Sequence, residues 1–274
     1  MIAPIDNDVY LKIKWANYHF LEFQNFFRTW VKSDAYGVAV EIDPHTQEVV
    51  YRLRPTFAVP ATFALFAGDV IQNLRTALDY LACALVRKND GKITTQIGFP
   101  ILKDAPPAPE YEGSLAGKVV GMRKEAIDKI RKTKPYKGGD EVLWRLHCLN
   151  NIDKHRLLFT VGAFLDDWSI TQHIDATDMP LEQMERLGRA YASEEHWANV
   201  RKASFPLKAG DELLRDPPHS KVNENIKFGI QVAINEPGVC EGEPLRLILG
   251  SRSPESCRLS GSSTAGIERE FIGV

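Results

Sequence analysis

Between about Asp8 and Ser33, apolar residues return every three or four positions: Tyr10, Ile13, Ala16, Phe20, Phe23, Phe27, Trp30 and Val31, with Lys12, Lys14, Glu22 and Gln24 between them. That period is helical, and it predicts a long helix burying a broad aromatic stripe. Core packing is a simpler reading of such a stripe than a cofactor box. The period then shortens. Gly37 to Asp43 and Glu48 to Arg54 read as two strands, and the Pro44-His45-Thr46-Gln47 link has the length of a hairpin loop.

Helical spacing resumes from about Ala61 to Lys88, with Pro60 at its first turn and Asn89-Asp90-Gly91 at its end. On a wheel, Phe63, Leu74, Leu78, Leu81 and Leu85 share one apolar face. Asp69, Asn73 and Tyr80 fall nearly opposite, and Arg75 and Asp79 are spaced i,i+4 on one flank. Phe99-Pro100-Ile101 reads as a short extended piece, followed by a proline-rich loop over 105–109. A basic helix is expected from about Ser114 to Thr133, weakened early by Gly117 and Gly121. Asp140 is placed to cap a further helix running to about Arg156.

Beyond His155, Leu157 to Gly162 reads as a strand, and 181–200 carries a helical pattern. Lys227 to Ile234 and Leu245 to Leu249 are the best later strands, and a Ser- and Gly-rich tail follows. These elements predict an α+β fold. Residues 1–165 form a mainly helical part with a small hairpin, and 166–274 form a strand-rich part that can share the same core.

Composition adds limits rather than a function. The 274 residues, 44% hydrophobic and 26% charged, suffice for a proper core and match an ordinary globular protein. No apolar run reaches the roughly 18 residues of a membrane span, and the N-terminus lacks the pattern of a signal peptide. Cys83, Cys148, Cys240 and Cys257 show no Cys-x-x-Cys spacing, which fits a reducing cytoplasm. The net charge of −2 makes the whole chain no magnet for nucleic acid or membrane. Its distribution is uneven: Lys118, Arg123, Lys124, Lys129, Arg131, Lys132, Lys134 and Lys137 face only Glu125 and Asp128. Such a run is either a solvated helix face or a footprint for phosphates.

The chemistry concentrates in two helical segments, Gly68 to Leu81 and Leu146 to Arg156. In the second, Asp153 falls on the face defined by Val142, Leu146 and Leu149, where an acid needs a partner or a proton. Arg75 is the natural partner, and a buried Arg75–Asp153 pair, with Asn73 and Asn150 serving backbone groups, would be purely structural. A functional reading uses His155 as a proton exchanger, with Lys154, Arg75 and Asn151 holding an anion and Asp153 or Asp79 orienting the group. His147 and His155 are about 12 Å apart along a helix axis, too far to share one small ion, so no metal and no cofactor is expected. Cys148 beside His147 points away from it and makes a poor nucleophile–base pair.

Both segments resemble a widespread set of uncharacterised bacterial proteins. These pair Gly-Asp-x-x-x-Asn-Leu-Arg-x-Ala-Leu-Asp-x-Leu with a later Leu-x-x-Leu-x-Asn-Ile-Asp-Lys-His-Arg. Gly68, Asp69, Asn73, Arg75 and Asp79 match the first, and Asn151, Asp153, Lys154, His155 and Arg156 the second. The resemblance spans roughly residues 8 to 165 and implies no activity. A second similarity is to HEPN-type helical domains, many of them metal-independent RNases. Asn151 and His155 fit that motif, while Asn150 stands where its Arg belongs. Three expectations therefore stand side by side. The first is a binding module for a phosphate-bearing or anionic partner, RNA among the candidates. It would use Asn73, Arg75, Asp79, Asn151, Lys154 and His155 with Arg131 and Lys132 of the basic helix. The second is a HEPN-like endoribonuclease with His155, Asp153 and Arg75 as its machinery. The third is a purely structural network. No membrane partner is expected, and a homodimer is allowed for.

Overall fold

The computed structural model describes residues 7–33, 37–105, 115, 117–164, 206–216, 218, 222 and 230–244. Among them stand four helices and six strands: α1 (Asn7–Trp30), β1 (Val38–Ile42), β2 (Val49–Leu53), α2 (Thr62–Arg87), α3 (Lys124–Lys132), α4 (Glu141–Asp153), β3 (Thr160–Phe164), β4 (Glu212–Asp216), β5 (Ile230–Glu236) and β6 (Cys240–Pro244). The fold is α+β, with the helices in the N-terminal part and two small antiparallel sheets. One sheet has the order β1-β2-β4 and the other β3-β5-β6. The expected helix over 181–200 and strand over 245–249 lie outside the described residues.

The first hairpin forms where the period of two predicts it. Val38 pairs with Leu53 and Ile42 with Val49, and the Asp43 side chain accepts the N–H groups of His45 and Thr46 to set the turn. β4 then joins β2 from far along the chain. Arg215 on β4 ties the three strands together, with its guanidinium on Asp43, Glu48 and Glu212.

α1 and α2 run antiparallel, because Lys12 reaches Asn73 near one end and Trp30 meets Phe63 near the other. Phe63 is surrounded by Phe23, Phe26 and Trp30 at ring-centroid distances of 5.5, 4.9 and 5.5 Å. Each such edge-on pair adds about 0.5–1.5 kcal/mol beyond the area it buries. The main core extends from this cluster through Tyr51 and Leu53 of β2 to Leu149 of α4. It ends on Leu213 and Leu214 of β4 and Val232 and Ile234 of β5, so helices and both sheets share it.

α2 is central rather than one-sided. Buried residues ring it, and they include Asn73 and Arg75 as well as Phe63, Ile71 and Ala82. Its C-terminal half carries a second core, built from Ala82 and Val86 with Ile97, Phe99, Ile101, Val119, Met122 and Ile130.

Three expectations are corrected. The described helix of the basic run begins at Lys124, and the expected start near Ser114 lies outside the described residues. Residues 117–123 turn instead, with Gly121 at φ +85°, and drop Val119 and Met122 into the second core. The strand after α4 begins at Thr160 rather than Leu157. The aromatic stripe of α1 buries Ala16, Phe20, Phe23 and Trp30, whereas Tyr10 and Ile13 stand exposed. The stripe is narrower than its spacing implies because Tyr10 and Ile13 lie off the face that packs on α2.

A candidate anion-binding site

α4 starts where sequence predicts. Asp140 stands outside the helix and its carboxylate accepts the N–H of Leu143 at 3.0 Å. α4 packs on α2 in the opposite direction, with Asp153 at its end against Gly68, which brings His147, nearly two turns earlier, to the level of Arg75, whose charge acts on its ring.

Arg75 and Asp79 form an ion pair of 2.6 Å, as i,i+4 spacing allows. Together they grip one peptide of the extended piece. Arg75 Nη2 donates to the carbonyl of Phe99 at 3.0 Å, and the N–H of Phe99 donates to Asp79 Oδ1 at 2.9 Å. The guanidinium side chain is only 8% exposed, so the pair replaces the strand neighbour that Phe99 lacks. Gly98 is needed beside this clamp, since a Cβ there would stand 2.9 Å from Asp79 Oδ1.

The expected Arg75–Asp153 pair is not formed. Asp153 lies over Gly68, with Oδ2 at 2.6 Å from the place a Cβ would occupy. Among the described residues no hydrogen bond or ion pair engages its carboxylate. Burial pushes the Asp153 carboxyl above its ordinary range, and the negative charge of Asp69 adds to this. Asp69 itself stands 3.5 Å from His19 Nδ1. Asn73 faces α1, donating to the carbonyl of Asp69 at 2.7 Å and accepting from Lys12 at 3.0 Å.

His147 is the residue on which charges converge. Arg75 from α2, Lys118 from the turn before α3 and Lys154 from the end of α4 all act on its half-buried ring. Burial first, and those three cations after it, hold its pKa down at about 4, against a weaker opposing pull from Asp79. The ring is therefore neutral near pH 7. Nε2 stands 3.1 Å from Asn151 Nδ2, while Nδ1 is buried without a hydrogen-bond partner. One turn on, the Oδ1 of the fully buried Asn150 is also unpartnered. The backbone joins the basic segment to this place, because Gly98 N–H donates to the carbonyl of Lys118.

Of the residues singled out by sequence, Arg75 and Asp79 come together and His147 joins them. Asn151 is exposed beside His147, and Lys154 and His155 are exposed at the end of α4. Arg131 is half-exposed with Asp128 at 3.3 Å, and Lys132 is exposed on α3. Arg156 has a role that periodicity did not reveal. Its guanidinium holds both oxygens of Glu236, at 2.9 and 2.6 Å, and Glu236 also accepts the N–H of Phe159 at 2.7 Å. Burial alone would raise the Glu236 carboxyl, but these bonds outweigh it and hold the pKa below its usual range. An acid closing an apolar strand was the only sequence signal for this bond.

Burial pushes the Cys148 thiol up, away from a reactive thiolate. Among the described residues no group of three or more His, Cys, Asp and Glu stands close enough to hold a metal ion. Nor is any helix among them long and apolar enough to cross a membrane. Compared with family models, curated proteins and solved structures, the chain shows no match.

Proposed function

We propose that the protein is a binding module for a phosphate-bearing, anionic partner, with RNA the partner class to test first. In this reading α2 and α4 build the platform, and the basic surface around α3 does the binding. The observation that carries it is the exposed basic run on and around α3, Arg123, Lys124, Lys129, Lys132, Lys134 and Lys137, which the Gly98 N–H to Lys118 carbonyl bond ties to the Phe99 peptide held by α2. The charges of Lys118 and Lys154 add to the same local potential. Cations so arranged repel one another unless an anion joins them, and phosphate contacts release counterions as they form. Arg75 is engaged by Asp79 and Phe99, so its part is to fix the platform and add to the local potential.

The test is fluorescence anisotropy of a labelled single-stranded RNA against salt concentration. Binding should weaken steeply with salt, with a slope of about 0.7 per phosphate contact. Lys129→Glu with Lys132→Glu should cut affinity at least tenfold and flatten that slope, at unchanged melting temperature. No binding at low salt would overturn the proposal. RNA cleavage without metal, abolished by His155→Ala, would replace it with the endoribonuclease reading.

A further inference from the structure

We propose that the outward face of α1 is a self-docking surface, on which a second copy of this chain packs its own α1 in the opposite direction. The helix has two apolar faces. One goes to the core, and the other carries Tyr10, Leu11, Trp15, Tyr18 and Leu21, each between 48% and 54% exposed. On a wheel these five cluster on the side away from Ala16, Phe20 and Phe23. Within this face the rings of Trp15 and Tyr18 stack at 5.1 Å and 17°.

Its area fits a copy of itself. With large side chains presenting about 150–250 Å² each and half of that open, the five offer roughly 500 Å². That is the greater part of the ~800 Å² each partner brings to a standard interface, and the size of contiguous patch that is often functional.

Its spacing fits as well. Leu11, Lys14, Tyr18 and Leu21 step by three, four and three residues, the spacing by which two helices mesh along a shared seam, here over about one and a half heptads. Lys14 decides the direction. A parallel, in-register pair would set Lys14 against the partner's Lys14, like charge on like charge. An antiparallel pair with its two-fold axis level with Ala16 sets Leu11 on the partner's Leu21 and Lys14 on the partner's Tyr18. Lys14 already places its ammonium 4.7 Å from the centre of the Tyr10 ring, so engaging an aromatic face is within its reach. The contact is isologous and closes on itself, limiting the assembly to a dimer.

Sedimentation velocity of the full chain over a concentration series tests this. A dimer is expected, and Trp15→Glu or Tyr18→Glu should weaken it at least tenfold while circular dichroism and Tm hold. For direction, Leu11→Cys and Leu21→Cys chains are mixed and oxidised, and the links are mapped by mass spectrometry. A link between position 11 of one chain and position 21 of the other is expected. A chain that stays monomeric throughout, a dimer indifferent to both glutamates, or a link joining two copies of position 11 would each overturn the proposal.

Discussion

The carboxylate of Asp153 rests against the backbone of Gly68, in space that any side chain at position 68 would need. Alanine normally gains about 1 kcal/mol over glycine inside a helix. Here part of that gain should be lost: Gly68→Ala must swing the Asp153 carboxylate aside, so it should stabilise the protein in urea unfolding by less than that. With Asp153→Ala made alongside, the same substitution should show the full gain. A double-mutant cycle reads the coupling directly, and additive effects would show that the contact is not felt.

Asp153 has a second consequence, for pH. Its carboxyl titrates higher in the folded protein than in the unfolded chain. The folded state therefore holds this proton more tightly, so the group's contribution is most favourable in acid and falls away as pH rises through its raised value. Asp153→Asn should stabilise the protein at pH 7, and the difference should shrink on acidification. Melting curves across pH settle it.

His147 has the opposite sign. Its folded pKa of about 4 lies below the ordinary 6.5, so between those values the unfolded chain binds more protons. Stability conferred by the neutral ring is present above pH 6.5 and is lost as pH falls towards 4. With solvent screening at a half-buried site, about 1–2 kcal/mol should go over that range. His147→Gln should remove this part of the pH dependence. An unchanged profile would mean that the ring is less enclosed than described.

Breaking the Arg75–Asp79 pair leaves a guanidinium buried with half its partners. Asp79→Ala should cost about 2–3 kcal/mol, less than a fully buried pair because Asp79 is 40% exposed. Arg75→Ala with Asp79→Ala together should cost less than the two effects added. Denaturant titration of the four proteins measures this.

Regular elements were legible wherever local pattern decides them. The stripe of α1, the hairpin around Asp43 and the cap at Asp140 each follow from spacing or turn chemistry within a few residues. β4 and β6 were missed because short strands gain their identity from neighbours, as Glu212–Asp216 does from β2. In the site, Arg75 and Asp79 were visible as an i,i+4 pair, but their hold on Phe99 was not, since it joins residues 20 or more apart. The Arg75–Asp153 pairing failed for a geometric reason. α4 runs antiparallel to α2, which carries Asp153 to Gly68 and brings His147 to Arg75. A wheel shows which side a residue faces, but not which level of the neighbouring helix it meets.

The grip of Arg75 and Asp79 on Phe99 also governs how the molecule comes apart. The second core is fastened to α2 through this peptide and through Ala82 and Val86, while the aromatic cluster around Phe63 is built without it. The described residues between Ile97 and Lys132 can therefore open together at a free energy below that of global unfolding. The amide of Phe99 would then exchange with solvent deuterium together with those around Val119 and Ile130, ahead of the amides near Phe63. Because α3 belongs to that unit, an anion gathered on its lysines would slow this exchange throughout the segment, and protection there would report binding even when nothing else in the molecule moves.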